Sequence, residues 1–176
     1  MQRRTVLKGA ALGGVAVLGV GFWALPSGVA PAAVSLQGAQ QVLAGLVDKP
    51  LISLKGWSPA QVFNHCAQSI EYSISGYPAL KPGWFRSSVG PLAFSVFAAR
   101  GAMRHPLDEA IPGAAPLSEP SSQTLALKRL QQAFSDFAAY QGELQPHFAY
   151  GLLNHADYAQ AHVLHLYNHL TLLKLA

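Results

Sequence analysis

Leu127, Leu130, Phe134 and Phe137 recur at i, i+3, i+7 and i+10, with Lys128, Arg129, Gln132 and Asp136 between them. Only a helix gathers that spacing into one apolar face, because each residue advances about 100°. Elsewhere in the chain no stretch alternates apolar and polar residues as a half-buried strand does, and no hairpin turn stands out. The pattern predicts an all-α fold: four bundle helices near residues 35–47, 58–75, 121–140 and 155–174.

Local signals set the ends of these helices. Ser58 is an N-cap, Pro59 fills the first helical position and Gln61 completes a capping box. Gly76 closes that second helix, whose apolar face is Val62, Phe63, Cys66 and Ile70. Asn64, Gln68 and Glu71 oppose that face, and His65 stands at its border. Leu36, Val42, Leu43 and Leu46 give the first helix its stripe, and Lys49-Pro50 ends it. Asn154 caps the last helix, with Asp157 at the third helical position. Between helices two and three, residues 81–103 hold one accessory helix, broken at Gly90-Pro91. From His105 to Pro120 four prolines and a glycine interrupt any period, so a long loop is expected.

The charge is unevenly placed. Arg3, Arg4 and Lys8 lie in the first eight residues, which leaves nine basic against eight acidic residues from Ala33 onward. A nearly neutral body with 11% charged residues excludes a nucleic-acid face, which needs clustered Lys and Arg. The single cysteine, Cys66, excludes an intrachain disulfide and reads as a small buried hydrophobe.

Residues 1–32 are an address rather than part of the fold. Arg3-Arg4-Thr5-Val6-Leu7-Lys8 resembles the twin-arginine export motif, and a mildly apolar stretch from Gly9 to Leu25 follows it. Ala30-Pro31-Ala32 offers a small-x-small cleavage site; an uncleaved signal anchor is the alternative. The expected partner is the twin-arginine translocation machinery. The expected location is outside the cytoplasm, periplasmic or anchored to the outer face of the cytoplasmic membrane. Contact with the membrane would come only through this segment. Residues 33–176 then form a single helical domain.

The last helix carries the chemistry. His162, His165 and His169 fall at i, i+3 and i+7, in a stripe flanked by Tyr158, Leu166, Leu172 and Leu173. Gln160, Tyr167, Thr171 and Lys174 lie on the other side. The imidazoles therefore point inward, where both nitrogens of each ring need partners. Either they are satisfied core residues or they converge on a metal ion, with His65 reaching across from the second helix. His165 and His169, at i and i+4, have a spacing by which one helix offers two nitrogens to one ion.

The stretch from Ser58 to Ser73, followed by Gly76-Tyr77-Pro78, resembles the second helix of the DUF1569 family. So does His165-Leu166-Tyr167-Asn168-His169-Leu170, preceded by Pro146-His147-Phe148 and Tyr150-Gly151-Leu152-Leu153. The family belongs to the DinB/YfiT-like superfamily of metalloenzymes. The resemblance implies a four-helix bundle with one histidine ligand on the second helix and two on the last. In this chain those are His65, His165 and His169, with His162 a near neighbour of the ion rather than a ligand. Imidazole suits zinc and nickel, so a divalent ion of either kind is expected. The chain departs from the family pattern at Asn168, where a further histidine is common, and at Thr171-Leu172, where Arg-Gln is common.

Two functions follow as expectations. One is a metal-dependent enzyme, a transferase moving a thiol or a hydrolase, acting on a small-molecule substrate. The other is a non-catalytic metal-binding or interaction module outside the cytoplasm.

Overall fold

The computed structural model describes residues 34–117 and 122–176. The segment read as an export signal lies outside them, as does Ser121, where the third bundle helix was expected to begin. The chain is mostly helical. Its elements run α1 (Leu36–Ala44), β1 (Leu51–Ser53), α2 (Pro59–Ser75), α3 (Gly83–Arg86), α4 (Val89–Arg100), α5 (Gln123–Ala139), α6 (His155–Leu170) and β2 (Leu173–Leu175). No helix among the described residues is long and apolar enough to cross a membrane.

The capping chemistry read from the sequence is present in atomic detail. Ser58 accepts from the backbone N–H of Gln61, and the Gln61 side chain accepts from the backbone N–H of Ser58 at 2.9 Å. Gly76 ends α2 at φ 102°, a left-handed backbone that only glycine takes without strain. Asn154 accepts from Asp157 N at 2.9 Å and starts α6. Ser122 does the same for α5.

α2 packs against α5 and α6, α1 packs against the same two helices, and α4 leans on α6. Leu127, Leu130, Phe134 and Phe137 all lie in the core with Phe63, Ile70 and Tyr158. Burying one such side chain contributes about 1.5–3 kcal/mol. α2 and α6 are the inner helices. Residues 62–70 of α2 are buried without a break. On α6 even Tyr167, expected on the outer side, is only 8% exposed. Asn64 and Gln68, expected to face water, are buried as well. Asn64 accepts from Arg129 Nη1 at 3.0 Å, and Gln68 Nε2 donates to the Ala115 carbonyl at 3.2 Å. Arg129 also forks onto Glu71, at 2.9 and 2.7 Å, so it ties α5 to α2 rather than facing water freely.

Two expectations need correction. The fold is not purely helical, because β1 and β2 form an antiparallel sheet with Leu51 opposite Leu175 and Ser53 opposite Leu173. α6 accordingly stops at Leu170, and Leu172 and Leu173 flank it from an extended tail. Strands of three residues are too short to display an alternating period. The accessory segment also breaks elsewhere, at Ser87–Ser88 between α3 and α4. Pro91 sits in the first turn of α4, where a missing N–H breaks no helical bond. Gly90 is buried there, and a Cβ on it would overlap the carbonyl oxygen of Ala149. Its bareness lets α4 press against the loop that leads into α6.

Candidate metal centre

The two inner helices carry the three histidines. α2 presents His65 and α6 presents His165 and His169, and one nitrogen from each lies within 4.8 Å of the other two. The ring centres are 4.6–5.0 Å apart. His65 and His169 are 3% and 0% exposed. Trp57, just ahead of the α2 cap, walls the group: its ring lies 4.8 Å from His65 and stacks on His169 at 6.1 Å.

His65 Nε2 and His165 Nε2 stand 3.1 Å apart. Two nitrogens sharing a tetrahedral ion at about 2.0–2.1 Å would stand roughly 3.3 Å apart, so the pair has nearly the edge length a cation requires. Neither nitrogen of His169 has a hydrogen-bond partner, although both are buried. An orphaned buried polar atom costs about 1–3 kcal/mol. An ion among the three rings gives His169 a partner it otherwise lacks. The donor set is all imidazole, so the residues fit a borderline divalent ion such as zinc or nickel.

Electrostatics keeps these lone pairs free. Burial, then the neighbouring His105, lowers His65 to about 4. Burial, then His65 and His105, lowers His169 to about 2. His165 lies well below its ordinary value, through burial and then the histidines around it. All three rings are neutral near pH 7, as ligation demands.

His162 is buried on the same face but engaged elsewhere. Its Nε2 meets Ser73 Oγ at 3.2 Å, and Ser73 spends its own proton on the Ile70 carbonyl at 2.6 Å. His162 must therefore donate from Nε2, which leaves Nδ1 as an acceptor. Its ring stacks on Tyr158 at 5.3 Å. Cys66 is a buried thiol whose pKa burial raises, so it offers neither a thiolate nor a ligand.

A cavity of about 200 Å³ adjoins the cluster, with His65 and His165 in its lining. His147, His162 and Tyr150 line it further along, and Lys81 and Glu109 add its charges. His147 Nδ1 accepts from the backbone N–H groups of Ala149 and Tyr150, both at 3.1 Å, so its proton sits on Nε2.

Sequence reasoning missed two residues here. Trp57 stands in the irregular stretch just ahead of the Ser58 cap, where no motif marks it. His105 was read only as the start of a loop, yet its ring centre lies 5.0 Å from both His165 and His169. Periodicity carries no signal for either, because both lie outside helices. The only available hint was an unassigned histidine in a segment with few other polar side chains.

Comparison with curated proteins and with solved structures gives no match. The profile of one family, described as a protein of unknown function, DUF1569, matches residues 33–175. That match spans far more than half of the chain and takes in both helices that carry the histidine cluster, and so the chain belongs to the DUF1569 family.

Proposed function

We propose that this chain is a metal-dependent enzyme of DinB-like architecture, holding one divalent ion on His65, His165 and His169. The observation that carries the reading is the convergence of three neutral imidazoles within 4.8 Å beside a cavity that two of them line. The mutual packing of α1, α2, α5 and α6 supports the four-helix-bundle arrangement. His65, His165 and His169 would hold the ion, and it would supply Lewis acidity and lower the pKa of a water or thiol that reached it from the cavity.

The chain's own residues then bind and orient a small molecule. His147 offers a donor and His162 an acceptor in the cavity lining, and both are neutral because burial lowers them. They can position an uncharged polar group without adding charge. Hydrolysis and thiol transfer both suit such a site; hydrolysis also suits a chain exported through residues 1–32. A non-catalytic ion-binding module is the second reading. What favours it is that neither a carboxylate nor a backbone carbonyl hydrogen-bonds His65 or His169 among the described residues, whereas the ligating histidines of a tuned metal site usually donate to such a group or to a water.

Two measurements test this. Chain purified without a histidine tag should contain one equivalent of zinc or nickel by elemental analysis; metal-free protein that takes up none on dialysis overturns the site. Turnover of ester, amide or thiol-acceptor panels by the loaded chain separates enzyme from module. For the proposed export, Arg3→Lys with Arg4→Lys should hold the precursor in the cytoplasm, and unchanged fractionation would reject the twin-arginine route.

A further inference from the structure

One imidazole beyond the trio reaches the same space. His105 stands in the irregular segment between α4 and α5. Its Nδ1 lies 2.7 Å from the Pro106 carbonyl oxygen, which can only accept. The ring proton is therefore on Nδ1, and Nε2 keeps its lone pair. That Nε2 is buried and has no partner. Ligating histidines are held in the same way, one nitrogen fixed by a carbonyl or carboxylate and the other turned to the ion.

The spacing to the two α6 rings agrees. Imidazoles sharing one tetrahedral ion have ring centres about 5 Å apart when the metal–nitrogen length is about 2.0–2.1 Å. His105 lies 5.0 Å from His165 and from His169, and the pair His65–His165 also lies at 5.0 Å. The span of 4.8 Å includes the ligand atoms of the trio but not that of His105, so His105 is the outermost of the four. It also lines the cavity.

We infer that His105 is a fourth ligand, carried on the loop, which fills the cavity-facing position of the ion until a substrate displaces it. The inference rests on the trio holding a metal. The loop is built for a local displacement. Met103 and Ile111 are buried and anchor it on both sides, and Gln68 holds Ala115 from α2. Between the anchors only His105 and Leu107 are partly covered. His105 thus leaves without disturbing α2 or α6, whereas the trio, fixed on those inner helices, does not move.

Full-length, tag-free chain loaded with zinc or cobalt(II) tests this. X-ray absorption at the zinc edge should count four imidazoles in the native chain and three in His105→Ala. His105→Ala should still bind one cobalt(II) per chain, with shifted visible bands and affinity weakened at least about 10-fold, no less than the loss of a ligand's outer partner costs. Free imidazole should restore the native bands. Unchanged bands and affinity in His105→Ala would overturn the inference and leave the trio intact. A native chain that takes up no cobalt(II) would overturn the trio and this inference together. His105→Gln with native helical dichroism guards against an effect of misfolding.

Discussion

His169→Ala should emerge from purification with its helical dichroism intact and its ion reduced from one equivalent to a trace. The ring it removes is 0% exposed, packs against Trp57 and His65, and has two nitrogens without a hydrogen-bond partner, one of which an ion would take. Removing it leaves His65 and His165, with only the loop-borne His105 beside them, on a site built around three rings held by the inner helices. The fold should survive, because Phe63, Phe134, Phe137, Leu130 and Tyr158 form an apolar core that does not depend on that ring. Truncating a buried side chain costs a few kcal/mol through the space left behind, about 2–5 for a large aliphatic one. Here the loss of two unpartnered nitrogens offsets part of that. His65→Ala should behave alike. His162→Ala should keep its ion, with affinity lowered about 10-fold at most, because its nitrogen bonds Ser73 instead. If His162→Ala lost the ion while His65→Ala kept it, the ligands would be the α6 stripe and not the pair of helices.

Mild acid should unfold the metal-free chain. Burial, then the neighbouring His155, pushes His162 down to about 3. Burial, then His162, holds His147 well below its ordinary value. In the unfolded chain each takes a proton near pH 6.5. The unfolded state thus binds more protons below that pH, and stability falls as pH falls from about 6.5 towards 3. Each unit of lowering is worth about 1.4 kcal/mol at full effect, so one such ring can remove a large part of the 5–15 kcal/mol typical of a domain. Thermal melts at pH 7, 6, 5 and 4 should show the midpoint dropping steadily. His162→Phe, which cannot take up a proton, should flatten the slope. A native midpoint that holds steady to pH 4 would mean these rings are charged or solvated in the fold. Bound metal should move the onset to lower pH, because an ion held only by the folded chain adds to its stability, and protons must also displace it from His65, His165 and His169.

Much of this was legible from residue order alone, for a physical reason. Caps depend on residues three apart, so Ser58 with Gln61 and Asn154 with Asp157 could be read directly. The Leu127–Phe137 stripe needed only the helical period. What escaped depends on distant partners. β1 exists because β2 returns beside it from more than a hundred residues away, and neither strand is long enough to reveal itself. Asn64 and Gln68 are polar residues on a face that α5 and the loop happen to cover, so local pattern assigned them to water. His165 and His169 could be paired by spacing and His65 by family resemblance. His105 and Trp57 join the cluster through the path of irregular chain, which no period encodes.

The small sheet pairs the approach to α2 with the exit from α6, and so acts as a buckle between the two helices that carry the trio. Leu54 N–H donates to the Leu172 carbonyl at 2.8 Å, and Ala176 N–H to that of Pro50 at 2.9 Å, so the buckle closes at both ends. Trp57 follows Leu54 by three residues, and His169 precedes Leu172 by three. A slip of one residue would turn Leu51 and Leu173 outward and pull Trp57 off His169. The reach between His65 and His169 is thus gauged by amide–carbonyl pairs remote from any ligand, and damage to residues 173–175 would register first as a loss of grip on the ion.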